Sequence, residues 1–155
     1  MKESAIIIHN VRSVFNVASI FRTAAAAGVI RVYLTGFSPG PFDRFGRKKK
    51  DFAKVSLGSE KFLNWQKGSF NSVIKRLKKE NFFIIALEQA TNSVDYKKIR
   101  PRQKTAIVVG NEVKGLTKKE LNQCHVTAEI PLPGQKESLN VSIALAVALF
   151  RIFNI

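Results

Sequence analysis

Short apolar runs alternate along this chain with segments of helical period, and that alternation constrains the fold more than any other feature. Ala5 to Ile8, Val29 to Thr35, Phe82 to Leu87, Thr105 to Val109 and Val126 to Ile130 are each too short for a helix. They read as buried strands. Between them, Val17, Ile20, Phe21, Ala24, Ala25 and Gly28 recur at helical spacing, with Asn16 placed to cap that helix and Arg22 off its buried stripe. Phe70, Val73, Ile74 and Leu77 mark a second helix whose other face carries Lys75, Arg76, Lys78 and Lys79. Thr117-Lys118-Lys119-Glu120 has the capping-box pattern that starts a third. Asn140 to Phe153 is a fourth, apolar almost all round, which demands partners in the core, at a subunit interface or both. The alternation predicts an α/β fold, a mainly parallel sheet flanked by helices. At 155 residues, without internal repeat or linker, one domain over residues 1–155 is expected.

Two of the strand ends run into unusual loops. Ile107-Val108-Val109 continues as Gly110-Asn111-Glu112-Val113-Lys114-Gly115-Leu116, and Ile130 continues through Pro131-Leu132-Pro133-Gly134-Gln135-Lys136-Glu137 to Ser138-Leu139-Asn140-Val141-Ser142. Glycine backbone and small polar side chains at the carboxyl ends of parallel strands suit a nucleotide-like ligand. No Gly-x-Gly-x-x-Gly turn is present, so the common dinucleotide fingerprint does not apply.

Charge narrows the partners. With 26 Lys and Arg against 11 Asp and Glu, the formal net charge is +15, which calls for a polyanionic partner and by itself leaves RNA, DNA and an anionic membrane open. The longest apolar run, Val141 to Phe150, is broken by Ser142, is too short to span a bilayer and ends at Arg151, so membrane attachment is not expected. Met1 to His9 lacks the apolar core and cleavage site of a secretory leader, which predicts a cytoplasmic protein. Cys124 is the single cysteine and there are two histidines, so neither an internal disulfide nor a metal site is expected. A Cys124–His125 catalytic pair is disfavoured because neighbours on a strand face opposite ways. His9, ending a strand, reads as a hydrogen-bonded structural residue.

Phe37 to Lys50 is rich in proline, glycine and cations, with three phenylalanines interleaved. Composition fits two readings equally: a loop that binds phosphates and stacks bases, or a solvated loop whose rings fold back onto the core. Asn92 to Arg102 reads as irregular and carries the basic run Lys97, Lys98, Arg100 and Arg102.

Taken with Asn10-Val11-Arg12-Ser13-Val14-Phe15-Asn16-Val17-Ala18-Ser19-Ile20-Phe21-Arg22-Thr23, the two loops resemble, in order and spacing, the three motifs of the SpoU/TrmH-type RNA ribose methyltransferases of the SPOUT superfamily. The resemblance implies a SPOUT-type fold with a carboxyl-terminal trefoil knot, a homodimer with its active site at the interface, and S-adenosyl-L-methionine as cofactor. It implies methylation of a ribose 2′-hydroxyl in tRNA or rRNA; unlike many family members this chain shows no separate RNA-binding domain before the first motif, so recognition is expected to fall to this domain's own positive surface. By the same resemblance Arg22 activates the hydroxyl beside Asn16, Glu112 shapes the site, and Ser138 and Asn140 form its polar pair. Leu87, Gly110, Ile130, Leu132 and Leu139 would line the cofactor. Arg12, Arg44, Arg47 and Lys48 are the candidate RNA contacts. A guanidinium gives up its proton only above pH ~12, so an oxyanion-stabilising or phosphate-bound Arg22 is easier to defend than a base. The rival reading is a non-catalytic RNA-binding protein of the same fold, and a weaker third is a nucleotide-binding domain with another reaction.

Overall fold

The computed structural model describes residues 3–155, so Met1 and Lys2 of the amino-terminal segment read above lie outside it. Among these residues seven strands, β1 (Glu3–His9), β2 (Arg31–Thr35), β3 (Asn64–Gly68), β4 (Phe83–Leu87), β5 (Val94–Asp95), β6 (Lys104–Val109) and β7 (Val126–Glu129), form one sheet. Its order is β3-β2-β1-β6-β4-β7-β5, and every pairing is parallel. Among the described residues five α-helices accompany it: α1 (Val14–Ala26), α2 (Lys50–Ser56), α3 (Phe70–Lys79), α4 (Lys118–Leu121) and α5 (Val141–Phe153).

The three consecutive isoleucines explain the centre of the sheet. Side chains alternate along a strand, so Ile6 and Ile8 enter the core shared with α1 and α5, while Ala5 and Ile7 enter the core under α3. All three isoleucines are fully buried. On the first side Phe21 of α1 meets Phe52 of α2 edge to face at 5.2 Å. Truncating a ring so enclosed costs about 3–5 kcal/mol. On the second side Phe70, Val73, Ile74 and Leu77 are the buried stripe of α3, as the spacing predicts.

Several expectations are corrected. Asn16 does not cap α1: Ser13 does, its side chain accepting from the Asn16 amide, and Asn16 sits inside the first turn. Gly28 falls past the end of α1 and is exposed. Strand β3 and helix α2 are absent from the sequence reading, because Asn64–Gly68 is a polar edge strand and α2 opens inside a cationic run. The irregular 92–102 stretch contains β5 and a single 3₁₀ turn, Tyr96–Lys98. Cys124 and His125 precede β7 instead of lying on it, and both serve the fold. The His125 ring Nδ1 accepts from the Ile84 amide at 2.9 Å, and burial pushes the Cys124 thiol up to about 12. His9 is held on both ring nitrogens, 2.8 Å from Thr35 Oγ1 and 2.8 Å from Glu120 Oε1.

Strands β1 to β3 progress outward in one direction, whereas β4, β7 and β5 lie on the far side of β6. The reversal occurs at β1 and β6, and loops diverging from carboxyl ends at such a point leave a crevice. Among the described residues no helix is long and apolar enough to cross a membrane.

Candidate functional site

Three loops meet at that crevice. The first follows β1, where Asn10 takes a left-handed φ of 55° and turns the chain toward α1. The second follows β6. Here Asn111 works as a clasp: its Nδ2 donates to the Asn10 carbonyl at 2.8 Å, and its Oδ1 accepts from the amides of Val113 (3.0 Å) and Lys114 (2.9 Å). Gly110 is obligatory, since a Cβ there would stand 2.8 Å from the Gly115 carbonyl carbon and 2.9 Å from the Leu116 nitrogen. The third loop follows β7 and leads into α5, which Asn140 caps by accepting from the Ser142 amide at 2.9 Å.

A continuous polar chain links the three. Glu112 accepts from the Arg12 amide (2.9 Å), the Ser13 amide (3.0 Å) and Asn16 Nδ2 (3.1 Å). Asn16 Oδ1 in turn accepts from Asn140 Nδ2 at 3.0 Å. Asn140 Oδ1 closes the series by accepting from Ser142. Residues nearly a hundred and more positions apart thus share one network, and each amide is oriented by both of its ends.

The network fixes the chemistry of Glu112. Burial opposes its ionisation, yet the donated hydrogen bonds from the Arg12 and Ser13 amides and from Asn16 outweigh that, so the carboxyl titrates below its ordinary value. Negative charge at the start of α1 also faces the positive end of the helix dipole. A carboxylate so stabilised is a poor proton acceptor and a good clamp.

Beside the network lies a cleft of about 450 Å³. Leu87, Gly110, Ile130, Leu132 and Leu139 all line it, as do Glu112, Ser138 and Asn140. Its walls also include Val109, Ala144, Glu88 and Glu129. Glu88 braces the second loop, accepting from the Leu116 amide at 2.9 Å. Three acidic side chains border one cleft of a protein with net charge +15. Such a cleft favours a compact cation within an otherwise cation-repelling molecule.

Asn16 touches this site through its partners, while Arg22 is not among the residues that line it. Six positions further along α1, Arg22 stands about 9 Å up the helix and about 240° around it from Asn16. It is exposed, on the same outward stripe as Phe15, which is 56% exposed. Helix α5 is likewise unpartnered on one side: Ile143 is 53% exposed, and Val147 and Phe150 are 39% exposed. Arg12 is exposed at the mouth of the network, and Arg44, Arg47 and Lys48 are exposed on the loop after β2. Among the described residues no group of three or more His, Cys, Asp and Glu side chains is placed to hold a metal ion.

The sequence reading missed Asn111, Glu129 and Ser13. Asparagine in a Gly-Asn-Glu turn, able to bond the backbone two residues on, was the available signal for Asn111. Glu129 offered none, because its role depends on which strand lies beside β7.

Comparison with known proteins places these features in context. The model of the SpoU rRNA Methylase family matches residues 3–150. The chain is 32% identical over 145 residues to the Xylella fastidiosa 23S rRNA (guanosine-2′-O-)-methyltransferase RlmB, covering 94% of this chain and 56% of that protein. It is 30% identical over 151 residues to the Aquifex aeolicus tRNA (guanosine(18)-2′-O)-methyltransferase, covering 96% and 68%. In three dimensions it superimposes on the AdoMet-bound rRNA methyltransferase of Sinorhizobium meliloti with a TM-score of 0.89 at 25% identity, covering 98% of this chain and 56% of that one. The chain therefore spans little more than half the length of two of these three relatives.

Proposed function

The chain belongs to the SpoU rRNA methylase family, and from that premise we propose that it is an S-adenosylmethionine-dependent methyltransferase acting on a ribose 2′-hydroxyl of tRNA or rRNA. The observation that carries this reading is the hydrogen-bonded series from Glu112 through Asn16 to Asn140, which sets three remote loops around one cleft. Both named sequence relatives are 2′-O-methyltransferases of RNA.

The residues present fit the cofactor. Leu87, Val109, Ile130, Leu132, Leu139 and Ala144 form apolar walls suited to an adenine ring, and Glu88, Glu112 and Glu129 suit the positive sulfonium and ammonium groups. When bound, S-adenosylmethionine supplies an electrophilic methyl group for the ribose oxygen. The protein's task is to orient that hydroxyl and offset the charge that grows on it as its proton leaves. Asn16 and Asn140, hydrogen-bonded to each other, take the role of orienting it in this reading. Glu112 keeps them in place through the hydrogen bonds it accepts from the Arg12 amide, the Ser13 amide and Asn16 Nδ2. Arg22 supplies the compensating positive charge.

Since Arg22 lies off the lining of its own cleft, the reading includes a homodimer in which two copies pack through the apolar face of α5 and the adjoining outward face of α1. The expected carboxyl-terminal knot belongs to the same reading, supported by the way the 110–116 and 130–140 loops flank one cleft. The +15 charge supports RNA as the polyanion.

Transfer of labelled methyl from S-adenosylmethionine to total RNA, followed by nucleoside digestion, tests the proposal. The expected product is a 2′-O-methylnucleoside, with Arg22→Ala lowering turnover by about 100-fold or more, the scale of a lost oxyanion partner. RNA binding without any methyl transfer would mean a non-catalytic RNA-binding protein. Mixing the inactive variants Arg22→Ala and Asn140→Ala should restore part of the activity if sites are completed across a dimer.

A further inference from the structure

The three phenylalanines of the long loop after β2 have different fates, and the difference points to a ligand. Phe42 folds inward, its ring stacked on Trp65 at 6.1 Å and 25°. Phe45, three residues on, is 66% exposed, and Phe37 is 59% exposed. A lone exposed ring is unremarkable, but Phe45 is displayed by a built support. Phe42 and Lys48 pair in an antiparallel bridge, Asp43 Oδ1 accepts from the amides of Phe45 (2.8 Å) and Arg47 (3.0 Å), and Gly46 turns the tip with φ +77°. Asp43 Oδ2 also accepts from Arg47 Nε at 2.8 Å. The Arg47 amide, the Arg47 guanidinium and the Phe45 amide together hold the Asp43 carboxyl below its ordinary range, overcoming a desolvation cost.

Two guanidinium groups sit over the displayed ring: the Arg44 carbon lies 4.7 Å and the Arg47 carbon 5.0 Å from its centroid. Among the described residues no carboxylate pairs with Arg44. The root of the loop is tied to the active-site side of the sheet. The Phe37 amide donates to Asn10 Oδ1 at 3.2 Å, and Ser38 Oγ donates to the Ile8 carbonyl at 2.9 Å and accepts from the Val11 amide at 3.1 Å. A hydrogen-bonded tip that exposes an aromatic ring with two guanidinium groups against it, beside the first loop of the site, suits an unpaired nucleobase and its neighbouring phosphates, the base taking the place of the guanidinium groups on the ring.

We infer that the 42–48 hairpin is a stacking platform for an unpaired base of the RNA substrate, Phe45 taking the base and Arg44 and Arg47 the neighbouring phosphates. This rests on the RNA reading above and adds that the substrate is single-stranded where it crosses this loop. Duplex RNA, whose bases already stack on each other, gives Phe45 nothing to hold.

The test is fluorescence anisotropy of the full chain with an oligouridine about twelve nucleotides long and with a blunt RNA duplex of equal length, for wild type, Phe45→Leu and Phe45→Trp. Phe45→Leu should weaken oligouridine binding about 10-fold, Phe45→Trp should restore it, and duplex binding, governed by phosphate contacts, should change less than about 2-fold. Equal losses on both RNAs, or no loss on oligouridine, would overturn the inference, as would a Phe45-dependent affinity for phosphatidylserine vesicles in place of RNA. Calorimetric titration with S-adenosylmethionine separates the two proposals: a chain that binds no cofactor yet loses oligouridine on Phe45→Leu disproves the enzymatic reading and upholds this one. A chain that methylates RNA with an unchanged KM in Phe45→Leu does the reverse.

Discussion

Replacing Glu112 with glutamine probes the clamp that joins the second loop to α1. The carboxylate accepts three hydrogen bonds, from the Arg12 amide, the Ser13 amide and Asn16 Nδ2, and the substitution turns one acceptor edge into a donor that faces another donor. Three such bonds at about 1 kcal/mol net each would total about 3 kcal/mol. The group is more than a third exposed, and solvent screening reduces the loss to about 1.5 kcal/mol. For a chain of this size that corresponds to a fall in melting temperature of about 3–6 °C at pH 7. The pH dependence has a definite sign. The folded value of Glu112 lies below that of an ordinary glutamate, so its contribution is fully present above the unfolded value and is lost as pH falls through the folded one. The gap between wild type and Glu112→Gln should therefore close below about pH 4. Thermal melts followed by circular dichroism at fixed protein concentration, at pH 7 and in acid, would measure both. A variant as stable as wild type at neutral pH, or a gap that ignores pH, refutes the argument that this carboxylate acts as an ionised clamp.

Gly110→Ala should destabilise by about 1–3 kcal/mol and weaken S-adenosylmethionine binding in calorimetry, because the added methyl meets backbone at Gly115 and Leu116 at under 3.0 Å. Val147→Glu places a charge in the exposed apolar stripe of α5; light scattering should show monomer where wild type shows dimer, with the fold intact. Cys124, its thiol raised to about 12 by burial, should resist thiol reagents at pH 8 in the native state and react at once on denaturation.

Much of the fold was legible in the residues. Ile6, Ile7 and Ile8, a short β-branched run, fit a strand covered on both faces, and the stripe Phe70, Val73, Ile74, Leu77 falls at helical spacing. Such local patterns settle the strand-helix alternation, and with it the parallel sheet, before any distant contact forms. The edge strand β3 escaped because Asn64–Gly68 is polar; only its neighbour β2 makes it a strand. Likewise the residues of the three loops could be named from spacing and resemblance, and Gly110, Leu87, Ile130, Leu132, Leu139, Ser138, Asn140 and Glu112 do share one cleft. What each does there was decided elsewhere. Asn16 looked like a helix cap, and its side chain instead spans from Glu112 to Asn140. Phe42 and Phe45 were indistinguishable in composition until Trp65 took one ring and left the other in solvent. A side chain's element follows from its neighbours in the chain, because those neighbours set the backbone period. Its partners come from strand order and loop crossing, which join positions about a hundred residues apart, so no local pattern contains them.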